Sequence, residues 1–161
     1  MLNSLAEEFS HQAPVAIEVL FVRILGSIIL CGLIGLERES VKNPAGLRTN
    51  MLIGLASTVF TLVGLQVMHE FGNRPDTVQI DPIRLVEAVT AGIAFLAAGV
   101  IIYTRQDVKG LTTGASMWLS GAIGLCAGLG MWLVAVVATG AGIVILWLLR
   151  KTEVAVGMKD E

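Results

Sequence analysis

The chain has 161 residues, 55% hydrophobic and 15% charged, with a formal net charge of −2 and a mean hydropathy of +0.78. Soluble domains carry about a quarter charged residues, so this composition excludes an ordinary soluble enzyme. The faintly acidic balance, without any long basic block, excludes nucleic acid as a partner and leaves the lipid bilayer as the solvent.

Residues 1–13 carry Glu7 and Glu8 but no Lys or Arg. A cleavable secretory signal needs a basic start, so this stretch reads as a short extracytoplasmic segment and the apolar run after it as a retained helix. The first helix is predicted from Pro14 to Leu36. Proline suits a first helical position, and the span of about 34 Å crosses a bilayer with some tilt. Glu37-Arg38-Glu39 ends it, and Asn43-Pro44 marks the turn that follows. The second helix runs from Gly46 or Leu47 to about Met68. Asp81 as N-cap and Pro82 at the first position open the third, which is expected to reach Tyr103. Leu111 to Leu149 then contains no charged residue. As one helix it would extend about 58 Å, roughly twice the ~30 Å hydrocarbon core. Two crossings that bend at Gly128-Leu129-Gly130 resolve the excess, one over 111–128 and one over 131–149.

The expected fold is therefore an all-α integral membrane protein, a bundle of five transmembrane helices over 14–149. A cytoplasmic tail follows at 150–161, with no soluble C-terminal domain expected. Five crossings place Arg38, Lys42, Arg48, Arg105, Lys109, Arg150, Lys151 and Lys159 on one side and only Arg74 and Arg84 on the other. The positive-inside rule puts the first side in the cytoplasm and the N-terminus outside. Four crossings would leave Arg150-Lys151 outside, against the same rule.

The first two helices resemble the next two. Cys31 to Arg38 aligns with Ala98 to Arg105, Ala45 to Thr49 with Lys109 to Thr113, and Gly64-Leu65 with Gly128-Leu129. Both units start on the same side, so they read as two parallel two-helix repeats plus one extra helix. The other reading is that membrane helices rich in small residues resemble one another by chance.

Ionisable residues inside a membrane need a reason. Arg23 lies roughly 13 Å into the first helix, with Glu18 five residues before it, and Arg84 and Glu87 share one face of the third. They form a polar cluster that binds an ion or a partner, or they are neutralised by internal pairing and by snorkelling. A second group gathers on the cytoplasmic side: Glu37 and Arg38, then Gly46, Arg48 and Thr49, then Arg105, Gly110, Thr112 and Thr113. Two helix N-termini carrying glycine and hydroxyl residues, with arginines nearby, favour an anion or an acidic partner group. Ordinary capping and membrane anchoring are the alternative. Gly124 and Gly128, spaced small-xxx-small, suit close helix approach, or else a pore lining.

Nothing in the chain has the spacing of a catalytic set. His11 and His69 are isolated, and Cys31 and Cys126 lie in apolar runs as packing residues. Glu37 and Glu39 could offer carboxylates to Mg²⁺, but they sit among arginines. No metal site, cofactor or enzymatic activity is expected.

Gly35-Leu36-Glu37-Arg38-Glu39 followed by Pro44-Ala45-Gly46-Leu47-Arg48-Thr49 resembles the first cytoplasmic loop of the MgtC/SapB family of bacterial inner-membrane proteins. Asp81-Pro82-Ile83-Arg84 and Gly110-Leu111-Thr112-Thr113 also match, so the resemblance covers about Leu25 to Leu149. The third helix departs from the family's glycine-richer form, reading Gly92-Ile93-Ala94-Phe95-Leu96-Ala97-Ala98-Gly99. The resemblance implies adaptation to low Mg²⁺ or to intracellular stress and a role in virulence. It implies regulation of other membrane machinery, such as ATP synthase or a transport ATPase, more than transport. A small ion transporter or channel, with Mg²⁺ as one candidate ion, is the alternative. Homo-oligomerisation would bury small-residue faces that five helices leave uncovered.

Overall fold

The computed structural model describes residues 15–39, 45–71, 81–104 and 107–155. Five helices are present among the described residues: α1 (Ile17–Glu39), α2 (Leu47–Phe71), α3 (Pro82–Val100), α4 (Leu111–Leu129) and α5 (Trp132–Ala155). α1, α2 and α3 are each long and apolar enough to cross a membrane. α4 is an uncharged helix of 19 residues, about 28 Å long. The protein is an all-α membrane protein built as a five-helix bundle.

Several boundaries differ from the sequence expectation: α1 starts at Ile17 rather than Pro14, α2 runs on to Phe71 rather than about Met68, and α5 continues to Ala155, into the stretch expected as a tail from residue 150. α1 continues through Glu37-Arg38-Glu39 instead of stopping before them. α3 ends at Val100, where Ile101 turns extended (φ −85°, ψ 117°) and its N–H bonds back to the Ala98 carbonyl at 3.2 Å. Ile102–Thr104 (β1) then pairs antiparallel with Asp107–Lys109 (β2), Ile102 opposite Lys109. β-Branched and aromatic residues suit a strand better than a helix end, so the expected short connection is a hairpin. Gly110 follows at φ +89°. A Cβ there would collide with the Val100 carbonyl oxygen, so only glycine lets the hairpin return this close to the end of α3.

The other ends follow local chemistry. The Asp81 carboxylate accepts from the Ile83 N–H at 2.9 Å, with Pro82 beside it. α4 closes in a Schellman motif. The Gly130 N–H bonds to Ala127 O at 3.0 Å and the Met131 N–H to Cys126 O at 2.8 Å, with Gly130 at φ +77°.

α4 is the central element. It packs against each of the other four helices, and eleven of its 19 residues are buried. α2 lies beside it, α1 against α2, α3 against α4, and α5 against α4 and α1. Glycines set the spacing. A Cβ on Gly124 would stand 2.5 Å from Gly54 O, one on Gly128 2.6 Å from Thr61 Cβ, and one on Gly35 2.6 Å from Leu47 Cα. Backbones this close leave no room for a side chain, which is the packing that holds helices together in lipid.

The packing is consistent with the two-repeat reading. Gly64 and Gly128 are counterparts in the alignment. Gly64 of α2 abuts Leu85 of α3, and Gly128 of α4 accepts a bond from Arg23 of α1, so each meets the first helix of the other unit. Ser57 and Gly121, also counterparts, meet each other where α2 crosses α4. α5 stands outside the pairing.

Candidate functional site

A seam of buried polar side chains runs through the centre of the bundle. α2 contributes Asn50, Ser57, Thr58 and Thr61, α4 contributes Thr113, Ser116 and Ser120, and α1 contributes Ser27 and Arg38. Lipid offers no hydrogen bonds, so such groups turn to protein partners, though the Ser27 hydroxyl has none among the described residues. Asn50 is the hub. Its amide NH₂ donates to Ala45 O at 3.2 Å and Gly46 O at 2.8 Å, and its carbonyl oxygen accepts from Ser120 Oγ at 2.8 Å. The Thr58 hydroxyl donates to Gly124 O at 2.9 Å, and the Cys31 thiol to Ser120 O at 3.3 Å. Thr61 and Ser116 bond within their own helices, to Ser57 O and Thr113 O.

The seam opens at the end bearing the first loop. Arg38 is only 6% exposed and donates to Thr113 Oγ1 at 3.1 Å. The guanidinium thus lies at the first turn of α4, where free N–H groups already make the local potential positive. Glu39 reaches across the loop to accept from the Leu47 N–H at 3.0 Å and so caps α2. A Cβ on Gly46 would collide with that carboxylate, so glycine keeps the cap in place. Arg48 and Thr112 are exposed beside this buried tie, while Glu37, Thr49 and Gly110 are half-buried. The structure therefore brings Arg38 together with Thr113, and Glu39 with Gly46 and Leu47. Arg105 lies outside the described residues.

At the other end, Arg23 donates to Gly128 O at 2.6 Å and lies against Gly130. A cation on the last carbonyls of α4 is favourable, since those carbonyls carry the negative end of the helix dipole. The Arg23 Nε is buried without a hydrogen-bond partner among the described residues. Glu18 is exposed in the first turn of α1. Arg84 and Glu87 are exposed on α3, and neither side chain has a hydrogen-bond or ion-pair partner among the described residues. Arg23 is engaged with the α4–α5 turn rather than with Arg84 or Glu87. Replacing Arg23 by Met is expected to cost about 2 kcal/mol, the value of a charged hydrogen bond, read as a lower melting temperature in detergent, with Arg23→Lys falling in between.

Sequence reasoning passed over Asn50, Ser120 and the hydroxyls of α2. The signal was present: Asn50, Ser57, Thr58 and Thr61 recur at i, i+7, i+8 and i+11, one face of a helix. No group of three or more His, Cys, Asp or Glu able to hold a metal occurs among the described residues.

A glycine-spaced membrane bundle with a buried polar seam and an arginine tied to a helix N-terminus defines the class of protein. The MgtC family model matches residues 24–155, and the chain belongs to the MgtC family. It is 38% identical over 104 residues to the Escherichia coli K12 protein named "Putative magnesium transporter YhiD", covering 65% of this chain and 48% of that one. It is 37% identical over 120 residues to SapB of Bacillus subtilis, covering 73% and 46%. It is 38% identical over 104 residues to MgtC of Salmonella typhimurium LT2, covering 65% and 41%. The chain spans about half the length of the curated relatives it matches. No solved structure matches it.

Proposed function

We propose that this protein is a non-enzymatic regulator in the bacterial inner membrane, which binds other membrane proteins through the end of the bundle that carries Arg38 and Arg48. The observation that carries this reading is the juxtaposition of an anchored and an exposed arginine. Arg38 is fixed on Thr113 at the start of α4, and Arg48 stands exposed as the second residue of α2. A fixed cation with an exposed one beside it suits an acidic group on a partner, such as a carboxylate of ATP synthase or of a transport ATPase. Gly46, Thr49, Gly110 and Thr112 would shape that surface, with Glu37 and, beyond the described residues, Arg105 at its rim.

The positive-inside rule would turn this end to the cytoplasm and leave the N-terminus outside. Lys151 lies 5.1 Å from the ring centroid of Trp147 on the same side, an arrangement common at a membrane–water boundary. The regulatory role would serve adaptation to low magnesium or to intracellular stress.

The test is cross-linking in native membranes. Arg48→Ala should lose a wild-type partner while the protein keeps its melting temperature, because the side chain is exposed. An unchanged set of cross-links would defeat the reading.

A second reading, transport of Mg²⁺ or another small ion, is favoured by the name of the YhiD relative. Its candidate path would include Arg23 at the outer end. Flux into proteoliposomes that Arg23→Ala abolishes would support it, and absence of flux with every ion tried would remove it.

A further inference from the structure

An apolar groove of about 790 Å³ lies between α2 and α3, lined by Leu52, Ile53, Phe60, Leu85, Gly92 and Leu96 among others. Its position follows from the repeat. α5 occupies the groove between α1 and α4, and exchanging the two units turns α1/α4 into α3/α2, where this groove stands open. One seat holds a helix, and its counterpart holds none from the described residues.

The outward stripe of α3 suggests what fills it. Arg84, Ala88, Gly92, Phe95 and Gly99 follow one another at spacings of three and four, so they share a face. Phe95 is 81% exposed. A Cβ on Gly92 or on Gly99 would have nothing within 4 Å. The face is thus a large knob between two holes, complementary to itself. Above it stand Arg84 and Glu87, opposite charges with no side-chain partner among the described residues.

We infer that a second copy of this chain docks here, α3 against α3 about a two-fold axis along the bilayer normal. Phe95 of each copy enters the α2/α3 groove of the other beside Gly92, and Arg84 of each faces Glu87 of the other. The charge complementarity selects a like chain over lipid, because a second copy offers each Arg84 a carboxylate and each Glu87 a guanidinium, which acyl chains do not. The isologous arrangement closes after two copies. This inference does not depend on the arginine surface at the other end of the helices.

The test uses the full chain in liposomes, with labelled copies mixed and energy transfer measured as lipid is added. Gly92→Leu and Gly99→Leu have open space around them, so each variant should fold as wild type yet associate about tenfold more weakly, the effect of 1.4 kcal/mol of lost contact. Arg84→Glu should weaken association, and Arg84→Glu with Glu87→Arg should restore it. Ala88→Cys should cross-link between copies under mild oxidation, and Val137→Cys on the exposed side of α5 should not. Unchanged association in both glycine variants, cross-linking through α5 alone, or a monomer at every dilution would overturn the inference.

Discussion

Gly124→Leu is expected to abolish the folded protein. The new side chain would meet the Gly54 carbonyl oxygen at 2.5 Å and Ser57 Cβ at 2.8 Å, both on the neighbouring helix. Backbone cannot swing aside as a flexible side chain can, so α2 and α4 would have to separate. Overpacking costs about 1–3 kcal/mol where neighbours can adjust. Here separation would also break Thr58 from Gly124 O and Ser120 from Asn50, so the cost should exceed that range. The measurement is the fraction of monodisperse protein extracted from membranes, with its melting temperature. Gly140→Leu is the control. A Cβ there has nothing within 4 Å, and this variant should match wild type. Equal behaviour of the two would mean that the α2–α4 contact does not hold the bundle together.

Asn50→Ala should be nearly as damaging, for a different reason. The amide ties the first loop, through Ala45 O and Gly46 O, to the middle of α4 through Ser120. Gly46 O also accepts the Asn50 backbone N–H at 3.2 Å, so it keeps one partner. Ala45 O and the Ser120 hydroxyl lose the partners Asn50 gives them. At about 1–3 kcal/mol for each buried group left without a bond, the total is on the order of 3 kcal/mol. Asn50→Asp separates chemistry from shape. It has the same outline but only accepts, and it places a charge in a fully buried site. It should destabilise at least as much as alanine. A well-tolerated aspartate would show that Asn50 acts by filling space.

Much of the frame was legible in the chain. Asp81-Pro82 and Gly130 are local signals whose geometry depends on neighbours in sequence, and both appear as helix ends. The five-helix count followed from the length of uncharged runs, which only lipid permits. The hairpin was not legible. Ile101-Ile102-Tyr103 continues the apolar pattern of α3, and the break depends on pairing with Asp107–Lys109 and on the conformation of Gly110. The site was half legible. Arg38 stood out as a charge at a helix end. Its bond to Thr113, 75 residues away, is a fact of packing. Arg23 was conspicuous by its depth, but its partner is a glycine carbonyl, which has no side chain to announce it. Asn50 was hidden inside a run read for hydropathy, where one amide barely changes the average.

The placement of α2 and α4 at the centre has a consequence for biosynthesis. Sixty-six residues separate Thr58 from Gly124 O, and α3 is made between them. A nascent chain that has released α2 into the bilayer must shelter Asn50, Thr58 and Arg38 until α4 emerges. A ribosome stalled before Leu111 would therefore hold an intermediate whose polar groups cling to the translocon or to an insertase. Release into free lipid would come only when the fourth helix arrives to receive them.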